Sequence, residues 1–427
     1  MQMTKIQRVI GRRVWDSRGR PTVEAEVVLD GGARGRAIAP AGASMGSGEA
    51  RDLRDGGISL GGHDVRQAVL NVNSEINLAL SGFDVTDQAA IDRRLVELDG
   101  TSQMARLGGN ATIAVSMACM HAAAAASGLP LYAYLANGST VSLPLPEIQI
   151  LGGGAHAGRR VDVQDFLVVC PSASSFTEAL NRTGEVYQAA GRLMRDSNRV
   201  YGVADEGGWW PAFQTNEEAL EFLMRAIEAA GFTPGQEVHI ALDVAASEFA
   251  RNGRYRLGLE DLELDSDGLA ALLLTWIERY PIISIEDPFS ENDVEAFGRF
   301  TAAVGKRVQV VGDDLLVTNA ERVSRASLDN LVNCILVKPN QAGTVSDARA
   351  AFDAARRDGL ASIISARSGE TEDVTIAHLA VGWNAGQIKV GSMSRGERTA
   401  KWNELLRLEE ALAGQASFVG WNAFAFR

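Results

Sequence analysis

Six short apolar runs in the second half of the chain constrain its fold most strongly: VHIALD ending at Asp243, IISIE at Glu286, VQVVGD at Asp313, CILVK at Lys338, ASIISA at Ala366 and GQIK at Lys389. Their ends are 43, 27, 25, 28 and 23 residues apart. Each interval is long enough for a strand, a helix and the return to a parallel neighbour. The pattern predicts a β/α barrel; a doubly wound open sheet, which gives a similar alternation, is the alternative. In a barrel the active site lies where the strands end, so the residues closing these runs converge on one pocket.

The preceding part of the chain is organised differently. Alternating runs at Thr22 to Leu29 and Arg34 to Ala39 predict two antiparallel strands joined at Asp30-Gly31-Gly32. Helical periodicity follows at Asp64 to Leu80, Asp87 to Leu98 and Asn110 to Ser127. Strands followed by helices indicate a small α+β domain. Pro130, Pro144 and Pro146 then punctuate the chain, and a boundary near Ser139 divides it into residues 1–138 and 139–427.

Composition excludes several classes of function. A net charge of −13 gives no general attraction for a polyanion, so neither nucleic acid nor an anionic membrane is an expected partner. The Ala-rich stretch from Ala111 to Ala126 carries Ser116 and His121 and lacks the ~20 strongly apolar residues of a membrane span. Lys5, Arg8, Arg12 and Arg13 interrupt the N-terminal apolar residues; without the apolar core of a secretory signal, a cytoplasmic protein is expected. Cys119, Cys170 and Cys334 are far apart within apolar runs, as befits buried, reduced thiols.

Asp243, Glu286 and Asp313 place three carboxylates at three strand ends, an arrangement tolerable when a cation neutralises it. An all-oxygen set favours a hard ion, Mg²⁺ first. Lys338 and Lys389 follow on later strands. Beside a divalent cation a desolvated lysine has a lowered pKa and serves as a base; an electrostatic clamp on an anionic substrate is the other reading for either. Glu206, in ADEGG at 204–208, suits a general acid on a glycine-flanked loop, or else is an exposed turn residue. LGGGAHAG at 151–158 offers backbone N–H groups and His156 to a phosphate. It also fits the weak dinucleotide fingerprint, but the absence of a following helix and the Arg159-Arg160 pair argue against that use. A metal, a lysine base and a separate carboxylic acid are what is needed to remove a proton alpha to a carboxylate and expel a β-hydroxyl. Arg367 and Ser368, just past a strand end, suit an anionic group such as phosphate.

These residues sit in blocks that resemble enolase from end to end: DSRG at 16–19, GAS at 42–44, DEGG at 205–208, LDVAASEF at 242–249, SIEDPF at 284–289, GDD at 312–314, RSGETED at 367–373 and GQIK at 386–389. The resemblance implies an enolase-like α/β architecture, a modified β/α (TIM-type) barrel with an N-terminal α+β capping domain, usually as a homodimer. It implies two Mg²⁺ per active site, with Asp243, Glu286 and Asp313 as ligands of the tighter ion and Ser44 helping to bind the second. It further implies Lys338 as base, Glu206 as general acid, and His156, Gln164, Asp165, Arg367, Ser368 and Lys389 around a small phosphorylated three-carbon acid. A Lys or His base with one or two Mg²⁺ is the handed-down pattern of that superfamily.

The departures cluster around the substrate. Ala366 stands where enolases carry His before the RSGE block, and Asp165 replaces Glu in Gln-Glu-Phe, withdrawing a carboxylate by one methylene. The mobile loop reads Ala41-Gly42-Ala43-Ser44-Met45, and Trp209-Trp210 follow DEGG in place of Phe-Ala. Three functions are therefore weighed. The first is a Mg²⁺-dependent hydro-lyase converting 2-phosphoglycerate to phosphoenolpyruvate. The second is a homologue in phosphonate or phosphinate natural-product synthesis, similar to carboxyphosphonoenolpyruvate synthase and using an activated phosphonate, with the tryptophans stacking on the larger partner. The third is a non-catalytic binding protein that kept the fold.

Overall fold

The computed structural model describes residues 3–43 and 45–426. It begins with an antiparallel meander of β1 (Ile6–Trp15), β2 (Pro21–Leu29) and β3 (Arg34–Ile38). The β2–β3 hairpin lies where alternation predicts it. The long β1 escapes that reading because its pairing with β2 shifts register between Ile6 and Arg8, and the bulge breaks the two-residue rhythm of buried positions. The three predicted helical stretches form at Arg66–Leu80, with a π-turn at Val72–Ile76, at Gln88–Asp99, and at Gly109–Ala126. The last is buried on nearly every side, as expected for a helix apolar all round. It lies so close to β3 that a Cβ on Gly35 would sit 2.1 Å from the backbone nitrogen of Ala122. Among the described residues no helix is long and apolar enough to cross a membrane.

Eight strands then close a barrel: β4 (Leu145–Gly152), β5 (Asp165–Val169), and, after a short hairpin of β6 (Val200–Val203) and β7 (Trp209–Pro211), β8 (His239–Asp243), β9 (Ile282–Glu286), β10 (Gln309–Gly312), β11 (Cys334–Val337), β12 (Ala361–Ser365) and β13 (Gly386–Gly391). Pairing of β13 with β4, with Lys389 opposite Glu147, closes the sheet and removes the open-sheet alternative. From β8 to β13 every neighbour is parallel, as the spacing requires, whereas β5 runs antiparallel to both β4 and β8. That reversal is where the modification of the barrel lies. Barrel helices start at side-chain caps that are plain in the sequence: Ser175, Thr215, Asp265, Asp293, Asn319 and Thr344 each accept a hydrogen bond from a first-turn N–H. The three cysteines are free and buried.

Candidate active site

The strand ends converge as expected. One pocket is lined by His156, Gln164, Asp165, Glu206, Asp243, Lys338, Arg367, Ser368 and Lys389, together with Gly42, Ala43 and Ala366. Glu286 and Asp313 lie behind this lining, each held by one of the two lysines. Lys389 Nζ bridges Asp243 (2.8 Å) and Glu286 (2.7 Å), and Lys338 Nζ is bonded to Asp313. Burial alone would lower both ammonium groups. The surrounding carboxylates together outweigh it, Asp313 and Glu286 for Lys338 and Asp243, Glu286, Asp165 and Glu206 for Lys389, and both lysines are held above their ordinary range. Ser44 lies outside the described residues.

Glu206 is buried, so it is not an exposed turn residue. Its loop is tied to the His156 turn by a hydrogen bond from the Asp205 N–H to the His156 carbonyl at 3.0 Å. His156 Nδ1 lies 3.0 Å from Asp165 Oδ1, and its Nε2 lies 3.9 Å from Glu206 Oε1. Burial would lower this imidazole, but Asp165 and Glu206 outweigh burial and push it up to about 9. The two carboxylates thus favour the imidazolium form of His156. The same pairing, with Lys389, holds Asp165 below the ordinary carboxylate range against the opposing effect of burial.

The residues fit a hard cation. Oxygens of Asp287, Asp313 and Asp314 lie within 4.8 Å of one another. Burial, then repulsion by Asp313, pushes Asp314 up to about 8, and burial with repulsion by Asp314 and Asp313 raises Asp287 well above the ordinary carboxylate range. Such crowding calls for a proton or a cation. In the pocket itself Gln164 Oε1 and Asp165 Oδ2 are buried acceptors with no hydrogen-bond donor among the described residues, although Lys389 Nζ stands 3.5 Å from the latter. An oxygen-only donor set of this kind suits Mg²⁺. The structure groups Asp313 with Asp287 and Asp314, and Asp243 with Glu286 through Lys389, so the expected triad is split between two lysines.

Arg367 is buried against Glu49, with Nη1 to Oε2 at 2.9 Å, and against Asn340 Oδ1 at 3.2 Å. Ser368 Oγ accepts from Arg18 Nη1 at 3.3 Å. Glu49 and Arg18 come from the N-terminal meander and its loops, and the chain at Ala41 pairs antiparallel with Gly369. Only glycine fits at 369: a Cβ there would lie 2.6 Å from Asp16 Oδ2 and 2.8 Å from the Ala41 carbonyl. Beneath this loop the helix Gly396–Leu412 presents Arg398 and Lys401, three residues apart and both fully buried. Arg398 donates to the carbonyls of Arg367 (2.6 Å), Val390 (2.8 Å) and Ser368 (2.5 Å), and Lys401 to the Thr371 carbonyl at 2.7 Å. Glu49, Arg398 and Lys401 carry no sequence signal beyond their charge, because their partners are remote in the chain; Arg18 lies in the DSRG block, which does not by itself reveal the contact with Ser368.

The tryptophans point elsewhere than the sequence reading supposed. Trp209 stacks on Tyr187 and donates to the Tyr187 carbonyl, and Trp210 packs against Gly158 and Tyr201. Neither lines the pocket, so neither is placed to stack on a bound partner there. Trp210 instead backs the His156 turn, whose Arg160 lies over the Tyr201 ring at 3.7 Å. Cation–π and ring packing of this kind are worth roughly 1–2 kcal/mol, and proteolysis follows the population of the open form. Trp210→Ala is accordingly expected to speed trypsin cleavage at Arg159-Arg160 by about tenfold. An unchanged rate would mean that Trp210 does not restrain the turn.

Comparison with known proteins agrees with this geometry. The family model described as "Enolase, N-terminal domain" matches residues 6–135, and "Enolase, C-terminal TIM barrel domain" matches residues 140–426. A curated relative, Enolase 1 of Desulfitobacterium hafniense (strain Y51), is 46% identical over 428 residues, covering 100% of this chain and 98% of that protein.

Proposed function

This chain belongs to the enolase family, and on that premise we propose that it dehydrates 2-phosphoglycerate to phosphoenolpyruvate. The observation that carries the reading is a lysine at a strand end and a buried carboxyl on a separate loop, Lys338 and Glu206, lining one pocket with Arg367 and Ser368. Bound Mg²⁺ supplies the charge that stabilises the dianion formed when the carbon alpha to the carboxylate is deprotonated. Asp243, Glu286 and Asp313 are the residues to hold the tighter of two ions, with Ser44 at the second. Lys338, as the neutral amine favoured once Asp313 no longer stabilises its ammonium, would take the alpha proton, and Glu206 would protonate the departing hydroxide. Lys389, Gln164 and His156 orient the carboxylate end, and Arg367 and Ser368 hold the phosphate.

The same reading makes the protein a cytoplasmic homodimer with a glycolytic role, divided into a capping unit, 1–138, and a barrel, 139–427. The phosphonate alternative loses one of its supports with the outward placement of the tryptophans. Ala366 and Asp165, which do line the pocket, are the features that still motivate it.

The test is the absorbance rise of the enol product from 2-phosphoglycerate with pure protein at millimolar Mg²⁺. Turnover is expected, abolished by a chelator and restored by added Mg²⁺. Absence of product rejects the assignment, and rescue of weak turnover by Ala366→His would identify a pocket re-tuned for another substrate.

A further inference from the structure

Gln149 belongs to none of the motifs that define the site, yet it is fully buried on β4 and uses both ends of its amide. Its Oε1 accepts from the Gly208 N–H at 2.8 Å. That bond fixes the orientation of the amide and turns Nε2 toward Asp165 Oδ1, to which it donates. The same carboxylate oxygen is the partner of His156 Nδ1, so the other ring nitrogen faces Glu206. One side chain thereby joins β4, β5, the His156 turn and the loop that carries Glu206.

We propose that Gln149 is a positioning residue of this reaction, holding Asp165 and through it the His156 ring in line with Glu206. The proposal rests on the enolase reading of the site. Asp165 is one methylene shorter than the Glu of the enolase pattern, and the glutamine supplies the missing reach from the opposite side. Its amide has little freedom to do anything else. A Cβ on Gly208 would lie 2.4 Å from Gln149 Oε1, and one on Gly152 would lie 3.3 Å from Nε2. Gln149 and Asp165 therefore act as a pair of fixed summed length, in which lengthening one requires shortening the other.

A double-mutant cycle tests this. Gln149→Asn leaves a gap at Asp165 and the Gly208 N–H without its acceptor, and Asp165→Glu drives a longer carboxylate into the glutamine. Each single variant is expected to lose about 10–100-fold in kcat, the scale of a ~1 Å misplacement, with KM changed less than about threefold. The double variant Asp165→Glu/Gln149→Asn, which restores the summed length, is expected to recover to within about fivefold of wild type. Gln149→Met, which keeps length and volume but lacks both hydrogen bonds, should behave as Gln149→Asn does and guards against a folding defect in the latter.

A second readout is independent of turnover. The hydrogen-bonded imidazole N–H proton of His156, assigned by its loss in His156→Gln, should shift or vanish from the NMR spectrum of Gln149→Met and return in the double variant. Multiplicative single losses in the double variant, or an unmoved His156 resonance, would overturn the proposal. A wild type that shows the resonance effect but makes no phosphoenolpyruvate would reject the proposed substrate while supporting the hold of Gln149 on His156.

Discussion

Replacing Lys338 with alanine is expected to lower kcat by about 10³- to 10⁴-fold, the upper range for loss of a positioned general base. Lys338 follows directly on β11 and lies buried at the pocket wall. Its backbone N–H is fixed by Thr318 Oγ1 at 2.9 Å, so the side chain leaves the strand in one direction. Among the described residues, only Asp313 is directly bonded to its ammonium. Lys389 stands in the same pocket but is held between Asp243 and Glu286, and it is not placed to take over the role. If Lys338 is the base, substrate affinity in the variant, measured by equilibrium binding, should change far less than kcat. A protein that only binds its ligand has no turnover to lose, so the same pair of measurements separates a catalyst from a binding module. Retention of more than about a tenth of wild-type kcat would remove Lys338 from its role and leave it an electrostatic clamp.

The second large effect concerns stability. Arg398→Met is expected to destabilise the protein by about 3–5 kcal/mol, because buried acceptors lose their donor and each costs roughly 1–3 kcal/mol. The three carbonyls involved belong to Arg367, Ser368 and Val390, so the loss falls on the loop that presents the arginine and serine proposed to hold the phosphate. Glu370 Oε1 accepts from the Arg367 N–H at 3.1 Å, and Glu370 Oε2 pairs with Lys401 Nζ at 2.9 Å, which makes the loop and the helix beneath it one hydrogen-bonded unit. Urea unfolding should show a lower midpoint, and the KM for the phosphorylated substrate should rise as the loop loosens. An unchanged midpoint would show that water or rearranged donors replace the guanidinium at no cost.

The barrel was legible because its strands are bounded by chemistry. Apolar runs that stop at Asp243, Glu286, Asp313, Lys338 and Lys389 announce both a strand and the face at which it ends, since buried parallel strands tolerate charge only where they leave the core. The strand β4 was read only in part, as a glycine-rich phosphate loop at 151–158. Its eight residues are all buried, so no alternation marks it, and its final residues merge with the turn that carries His156. The reversed β5 is equally silent, because strand direction depends on which neighbours a strand pairs with and leaves no mark in its own composition.

Local sequence thus pointed to most of the residues proposed for the chemistry: Asp243, Glu286, Asp313, Lys338 and Lys389 stand at strand ends, Glu206 and His156 on glycine-rich turns, and both are properties of a few consecutive residues. Tertiary structure alone decided how those residues are paired. Lys389 joins Asp243 to Glu286, Lys338 takes Asp313, Glu49 meets Arg367, and Gln149 reaches Asp165. It also turned Trp209 and Trp210 away from the pocket their position suggested. The physical reason is that burial forces every charge and amide to find a partner, and in a closed barrel the partner comes from a strand or loop tens to hundreds of residues away.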